Sequence, residues 1–129
     1  MPKVSWTLSV QVGGGSSVAT TADPVDVEAV DRIEVVIAAG AADHVVEVQP
    51  GAAEQVHLLH IRASAYSSDL TFKLSDGADD TMAIPLTEPQ LYTAGAIALF
   101  EHAPKALKIS NGGAAAVTLE VLVARDATP

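Results

Sequence analysis

Residues 105–125 read Lys-Ala-Leu-Lys-Ile-Ser-Asn-Gly-Gly-Ala-Ala-Ala-Val-Thr-Leu-Glu-Val-Leu-Val-Ala-Arg, and this stretch decides the fold. Two runs of alternating apolar residues flank the turn at residues 110–113. Because Asn111 and Gly112 tolerate the positive φ of tight turns, the pattern predicts a β-hairpin. Side chains alternate between the faces of a strand, so one face of the second arm is apolar. That face carries Val117, Leu119, Val121 and Val123.

The same period of two recurs along the chain, and it predicts the fold class. Turn signals separate the periodic segments about every 8–12 residues, as in all-β sandwiches. We therefore expect residues 1–129 to form a single all-β domain, an antiparallel β-sandwich that is jelly-roll-like with about eight short strands. The strongest strand patterns are residues 4–12, 32–38, 69–75 and 115–125. Weaker patterns predict a brief helix at 26–31, an edge or crossover piece at 82–86, and a brief strand at 91–92. Residues 96–100 carry the apolar side chains Ile97 and Leu99.

The composition describes what the core is made of. Aromatic residues make up only 4% of the 129 residues, whereas 49% are hydrophobic, so aliphatic side chains must fill the interior. A chain of this length buries roughly two-thirds of its unfolded surface. The predicted core is Trp6, Leu8, Val10, Ile33, Val35, Ile37, Leu70, Phe72, Leu74, Ile109, Leu119 and Val121.

The net charge and the lack of cysteine limit the classes of partner and the kinds of site that the chain can have. The formal net charge is −9, which disfavours nucleic acid and anionic membranes, because both are bound through Lys and Arg. No apolar run approaches the ~20 residues of a membrane span, and the first residues lack the apolar segment of a secretory signal. There is no cysteine, so disulfides and thiolate metal sites are excluded. We expect no nucleic acid or membrane partner and synthesis in a cytoplasm.

The four histidines are the first candidates for chemistry. His57 and His60 are three residues apart, and on a strand they point to opposite faces, so they could share one metal ion only across a bulge. His44 and His102 are isolated in the sequence. Surface or interface histidines are the favoured interpretation, and no metal or cofactor is expected.

An acidic cluster and a glycine-rich loop give weaker signals. Asp76, Asp79 and Asp80 lie beside Gly77 and offer oxygen ligands for a cation, but their order is not that of a calcium-binding EF-hand loop, so a solvated hairpin turn is favoured. Ser16 follows three glycines without the motif of a serine hydrolase or a phosphate-binding loop. We expect no catalytic residue and no enzyme.

Three aromatic residues keep a sugar-binding alternative open. Trp6, Tyr66 and Tyr92 are the side chains that could stack on a carbohydrate. Trp6 shares the apolar face of its strand, which favours burial in the core over ligand stacking. A small carbohydrate-binding or cell-surface adhesion module is therefore the alternative function.

Several predicted strands carry apolar residues on both faces, which indicates self-association. A second apolar face must be covered, and a second copy of the same chain covers it with closed symmetry. The predicted interface residues are Val36, Leu58 and Leu122.

The second half of the chain resembles a known class of proteins. The segments are Asp-Leu-Thr-Phe-Lys-Leu-Ser-Asp-Gly-Ala from Asp69, the following Ala-Ile-Pro-Leu, and the ending that runs from Leu107 to Ala124. They resemble small β-sandwich virion proteins of tailed bacteriophages, of the capsid decoration (cement) type. The resemblance implies a non-enzymatic structural protein that forms homo-oligomers, often trimers, on a phage capsid and resides in the virion. It carries over no individual functional residue.

Overall fold

The computed structural model describes residues 3–11, 13–21, 24–48, 56–97 and 104–126. Within these residues the chain forms twelve strands and one short helix. The strands are β1 Lys3–Val4, β2 Thr7–Gln11, β3 Ser17–Thr21, β4 Val25–Asp26, β5 Ala29–Ile37, β6 His44–Glu47, β7 Val56–Ala63, β8 Leu70–Ser75, β9 Ile84–Pro85, β10 Gln90–Thr93, β11 Ala106–Asn111 and β12 Val117–Arg125. The helix, α1, spans Ala94–Ile97. The predicted all-β class is confirmed.

Eight of these strands form two antiparallel sheets. The first sheet has the order β10-β7-β12-β5 and the second has the order β6-β11-β8-β9. The pairs are nested: β8 pairs with β9, β7 with β10, β6 with β11, and β5 with β12. A long hairpin of paired strands that wraps over itself in this way is a jelly roll, so the predicted architecture and number of strands in the sandwich are confirmed.

The core lies between the two sheets. Leu59, Ile61 and Val121 of the first sheet share one buried cluster with Phe72 and Leu107 of the second. Seven of the twelve predicted core residues are fully buried there: Ile37, Leu70, Phe72, Leu74, Ile109, Leu119 and Val121. Two more, Ile33 and Val35, are partly buried against the same cluster. Strand periodicity therefore identified the inward faces of β5, β8, β11 and β12.

The predicted hairpin at residues 105–125 is wrong in its pairing. Both arms are strands, but β11 belongs to the second sheet and β12 to the first, so the turn crosses from one sheet to the other. The backbone of Asn111 bonds Gly40 and Ala41 instead, with its carbonyl accepting from the Gly40 N–H at 2.7 Å and its N–H donating to the Ala41 carbonyl at 2.9 Å. Positive φ values at described glycines occur at Gly14, Gly40 and Gly77, none of which lies in this turn.

The predicted first strand is also corrected. Residues 4–11 are divided between β1, which pairs with β4, and β2, which pairs with β3, and neither joins the sandwich. Leu8 and Val10 are 50% and 52% exposed and are not core residues, while Trp6 is only partly buried, against a separate small cluster. Val12 lies outside the described residues. The alternating pattern was right about the strand, but its partner is a local strand rather than the sheet.

The shorter predicted segments can also be compared with the structure. No helix forms at 26–31, because β4 ends at Asp26 and β5 begins at Ala29. Residues 94–97 form the helix α1, in which Ile97 is buried, and residues 98–100 lie outside the described chain. The edge piece with Pro85 and the brief strand at 91–92 are confirmed as β9 and β10.

Candidate functional site

Two small ribbons precede the sandwich and hold the largest concentration of exposed apolar side chains. We call the β2–β3 pair the N-terminal hairpin and the β1–β4 pair the N-terminal ribbon. All residues of β2 and β3 are exposed. Nine large hydrophobic residues of the described chain are exposed, and four of them lie in these two ribbons: Leu8, Val10, Val18 and Val25. Two more, Val30 and Val36, lie on the following strand β5.

The N-terminal hairpin is amphipathic. Its register places Leu8 opposite Thr20 and Val10 opposite Val18, so these side chains share one face. The other face carries Ser9 opposite Ala19, together with threonine, serine and glutamine side chains. The apolar face is open, since Val18 is 62% exposed. A ribbon with this pattern offers one side for contact and one side for water.

The N-terminal ribbon, in contrast, packs on the outer face of the first sheet. Val4 and Trp6 pack against a small buried cluster formed by Val27, Leu58 and Ala124. Leu122 lies at the margin of this cluster. The ribbon thereby covers part of the second apolar face that the sequence indicated.

The three predicted interface residues lie on this same outer face. Their strand partners show it: Val36 is opposite Thr118, Leu122 is opposite His60, and Ala124 is opposite Leu58. Leu58 is 5% exposed because residues of its own chain cover it, and Leu122 is partly buried. Val36 is 62% exposed on the edge strand β5, so it is the most accessible of the three.

An apolar cavity of about 190 Å³ lies between the ribbon and the first sheet. Trp6 and Leu58 form part of its wall, and His57 adds the polar part. His57 lies at a bulge, because the register passes from Ala124–Leu58 directly to Arg125–Val56. Its Nε2 is 2.9 Å from Oδ2 of Asp126. A metal site shared by His57 and His60 would need a bulge in β7. The bulge is present, but the His57 ring lies against the carboxylate of Asp126.

A polar groove of about 450 Å³ lies further along the same sheet. The Arg62 guanidinium donates to Oε1 of Glu120 at 2.7 Å, and Arg32 approaches the same oxygen at 3.8 Å. The hydrogen bond from Arg62 lowers the pKa of the Glu120 carboxyl, and it raises that of Arg62. Glu34 and Tyr66 also line the groove.

The outer face of the second sheet carries two lysines, each of which is ion-paired with an aspartate. Lys73 and Lys108 are directly opposite each other on β8 and β11. Lys108 donates to Oδ2 of Asp80 at 2.7 Å, which lowers the pKa of the Asp80 carboxyl, and Lys73 lies 3.5 Å from Oδ1 of Asp43. Each lysine is thus neutralised by an aspartate from a loop.

Two carboxylates of the acidic turn at residues 76–80 form hydrogen bonds with other groups of the protein. Oδ1 of Asp76 accepts from the backbone N–H groups of Ala78 and Asp79, at 2.9 and 2.7 Å. Asp80 is engaged by Lys108. Among the described residues no three His, Asp or Glu side chains are grouped as a metal site. His44 is exposed at the start of β6, and His102 lies outside the described chain.

The three aromatic candidates do not share one surface. Trp6 lines the apolar cavity and Tyr66 lines the polar groove. Tyr92 packs against the main core, and burial raises its pKa. The Tyr66 hydroxyl accepts from the Ala63 N–H at 3.0 Å, which holds the ring at the margin of the groove. The exposed apolar face of the N-terminal hairpin was not predicted, because Leu8 and Val10 show the pattern of a core strand.

Comparisons with family models, curated proteins and solved structures found no match to this chain. Within the described ranges, no helix is both long and apolar enough to cross a membrane.

Proposed function

We propose that this chain is a non-enzymatic structural protein of a phage particle, and that it decorates and stabilises the capsid as a homotrimer. The observation that carries the proposal is the concentration of exposed apolar side chains between positions 8 and 36, next to a closed sandwich core. Exposed apolar patches of this kind mark protein contact sites. The resemblance of residues 69–125 to virion β-sandwich proteins supplies the class of partner.

The experiment that tests the proposal is binding to a protein shell. Shells assembled from a phage major capsid protein are incubated with this chain and sedimented. We expect the chain to co-sediment and to raise the melting temperature of the shells, because a ligand that binds only the assembled state stabilises it by mass action. A chain that stays in the supernatant and leaves shell melting unchanged contradicts the proposal.

The polar groove favours a second candidate function, carbohydrate binding. Arginine, glutamate and tyrosine side chains at Arg62, Glu34 and Tyr66 are groups that hydrogen-bond sugar hydroxyls. A glycan array tests this alternative directly. Binding of a defined sugar that is lost in Arg62→Met, but kept in the hairpin variant Ser9→Ala, would favour the adhesion module over the virion protein.

A further inference from the structure

We propose that the N-terminal hairpin is the element through which copies of this chain contact one another, with the apolar faces of hairpins from neighbouring copies packed together. This contact rests on the proposed function, because it names what holds the homo-oligomer together. The occupant of the apolar face is a second copy of the chain.

The N-terminal hairpin is a two-stranded element whose stability depends on what packs against it. β2 and β3 pair only with each other among the described strands, and all of their residues are exposed. An isolated two-stranded hairpin is at best marginally stable in water, and a hydrophobic face against another layer is what stabilises it. Leu8, Val10 and Val18 provide such a face, and they stay exposed among the residues that the structure describes. A second layer is therefore needed, and an identical hairpin has the matching apolar face.

Charged side chains are distributed unevenly along the chain. Residues 4–22 contain no charged side chain, and all 16 aspartates and glutamates lie at position 23 or later. Two sandwiches that meet through their bodies bring carboxylates together, and like charges across an interface are unfavourable. Two hairpins meet without that repulsion. In a chain of net charge −9, the hairpin is the surface that best tolerates a copy of itself.

Each strand of the N-terminal hairpin has one edge that pairs with no other described strand. Natural proteins protect exposed edge strands with charges or proline. Three of the four edge strands of the sandwich follow this rule: β5 carries Arg32 and Glu34, β6 carries Glu47, and β9 carries Pro85. The fourth, β10, carries neither a charge nor a proline, but it is only four residues long. The described strands of the hairpin carry neither a charge nor a proline. Its edges are therefore open to backbone pairing with a neighbouring hairpin, in addition to the packing of its apolar face.

The test compares two substitutions on opposite faces of one strand. Val18→Lys places a charge on the apolar face, and Ala19→Lys places the same charge on the polar face one residue away. The dissociation constant of the oligomer is measured by sedimentation velocity over a dilution series. We expect Val18→Lys to raise it by at least about tenfold, because an unpaired charge is costly in a dry contact, and Ala19→Lys to raise it by less than about threefold. Far-UV circular dichroism checks that both variants keep the fold.

A cross-linking experiment gives an independent readout. The chain has no cysteine, so a single introduced thiol can only react between copies. Val18→Cys is expected to form disulfide-linked dimers under mild oxidation, since a disulfide needs Cα atoms within about 7 Å, and Ala19→Cys is expected to remain monomeric on a non-reducing gel.

The outcomes separate this contact from the proposed function. A Val18→Lys variant that is as oligomeric as the wild type overturns the contact, and so do equal effects of the two lysine substitutions. If Val18→Lys stays oligomeric but no longer co-sediments with capsid shells, the hairpin binds the shell, which overturns the self-contact and leaves the proposed function standing. A wild-type monomer that binds no shell overturns both.

Discussion

At the scale of single residues, Asn111 has a role that its place in a turn does not reveal. It is 2% exposed, and its side-chain amide N–H groups donate to the carbonyls of Ile37 at 3.2 Å and Ala115 at 3.0 Å. Its Oδ1 accepts from the Gly113 N–H at 3.0 Å. The amide of Asn111, at the end of β11, thus satisfies a backbone group of β5 and two backbone groups of the connection that crosses between the sheets. A buried amide with three partners is a structural group, since its loss leaves backbone atoms unsatisfied.

We therefore predict that Asn111→Ala destabilises the chain by about 2–3 kcal/mol, because buried backbone groups lose their partners. The measurement is urea-induced unfolding followed by circular dichroism. Ser110→Ala is the matched control: the Ser110 hydroxyl accepts from the Asp43 N–H in an exposed contact, so its loss should cost less than about 1 kcal/mol. Equal losses in the two variants would show that the Asn111 side chain does not hold the crossing together.

At the scale of secondary-structure elements, the sequence predicts strands and faces well and strand partners poorly. The period of two placed Phe72 and Leu119 inward correctly, because burial on one face is what alternation encodes. It says nothing about which strand lies alongside. The turn after Ile109 therefore resembled a hairpin although β11 and β12 belong to different sheets, and Leu8 resembled a core residue although its strand lies outside the sandwich.

In the candidate site, too, the sequence predicts the face on which a residue lies but not what packs against it. The period of two placed Leu58 and Leu122 on the face away from the core, where the structure has them, because alternation distinguishes the two faces of a strand. Their role in an interface stays a prediction. That the N-terminal ribbon covers Leu58 depends on a contact between distant parts of the chain, which local patterning does not contain. The absence of charge from residues 4–22 is a sequence signal that could have singled out the hairpin.

Trp6 is the side chain expected to hold the N-terminal ribbon on the sandwich. It packs on the cluster that contains Val27 and Leu58, and it borders the cavity beneath the ribbon. We predict that Trp6→Ala lowers hydrogen-exchange protection in the ribbon and leaves β12 protected, because local opening costs less free energy when apolar contacts are removed. Leu8→Ala, on the exposed hairpin, is the control and should leave protection of the ribbon unchanged. Uniform loss of protection would instead place Trp6 in the global core.

At the scale of the whole molecule, the strong negative charge coexists with well-paired carboxylates on both outer faces. Glu120 is bound by Arg62 on the first sheet, and Asp80 is bound by Lys108 on the second. In each pair the hydrogen bond lowers the pKa of the carboxyl. Acidification therefore has two opposing effects: it reduces the overall repulsion of a chain of charge −9, and it removes the acceptors of these pairs. A comparison that holds the net charge constant separates the two effects.

We predict that Asp80→Asn is less stable than Asp79→Asn at neutral pH, and that the difference disappears in acid. Both variants remove one carboxylate from the same turn, so their net charges are equal. The pKa of Asp80 is lower in the folded state than in the unfolded chain, where it is about 3.9. Its contribution is therefore fully present above about pH 4 and is lost as the pH falls through the folded value. The free energies of unfolding of both variants, measured in urea at pH 7 and at successively lower pH, should converge, and a gap that stays constant with pH would show that the Lys108–Asp80 pair does not stabilise the folded chain.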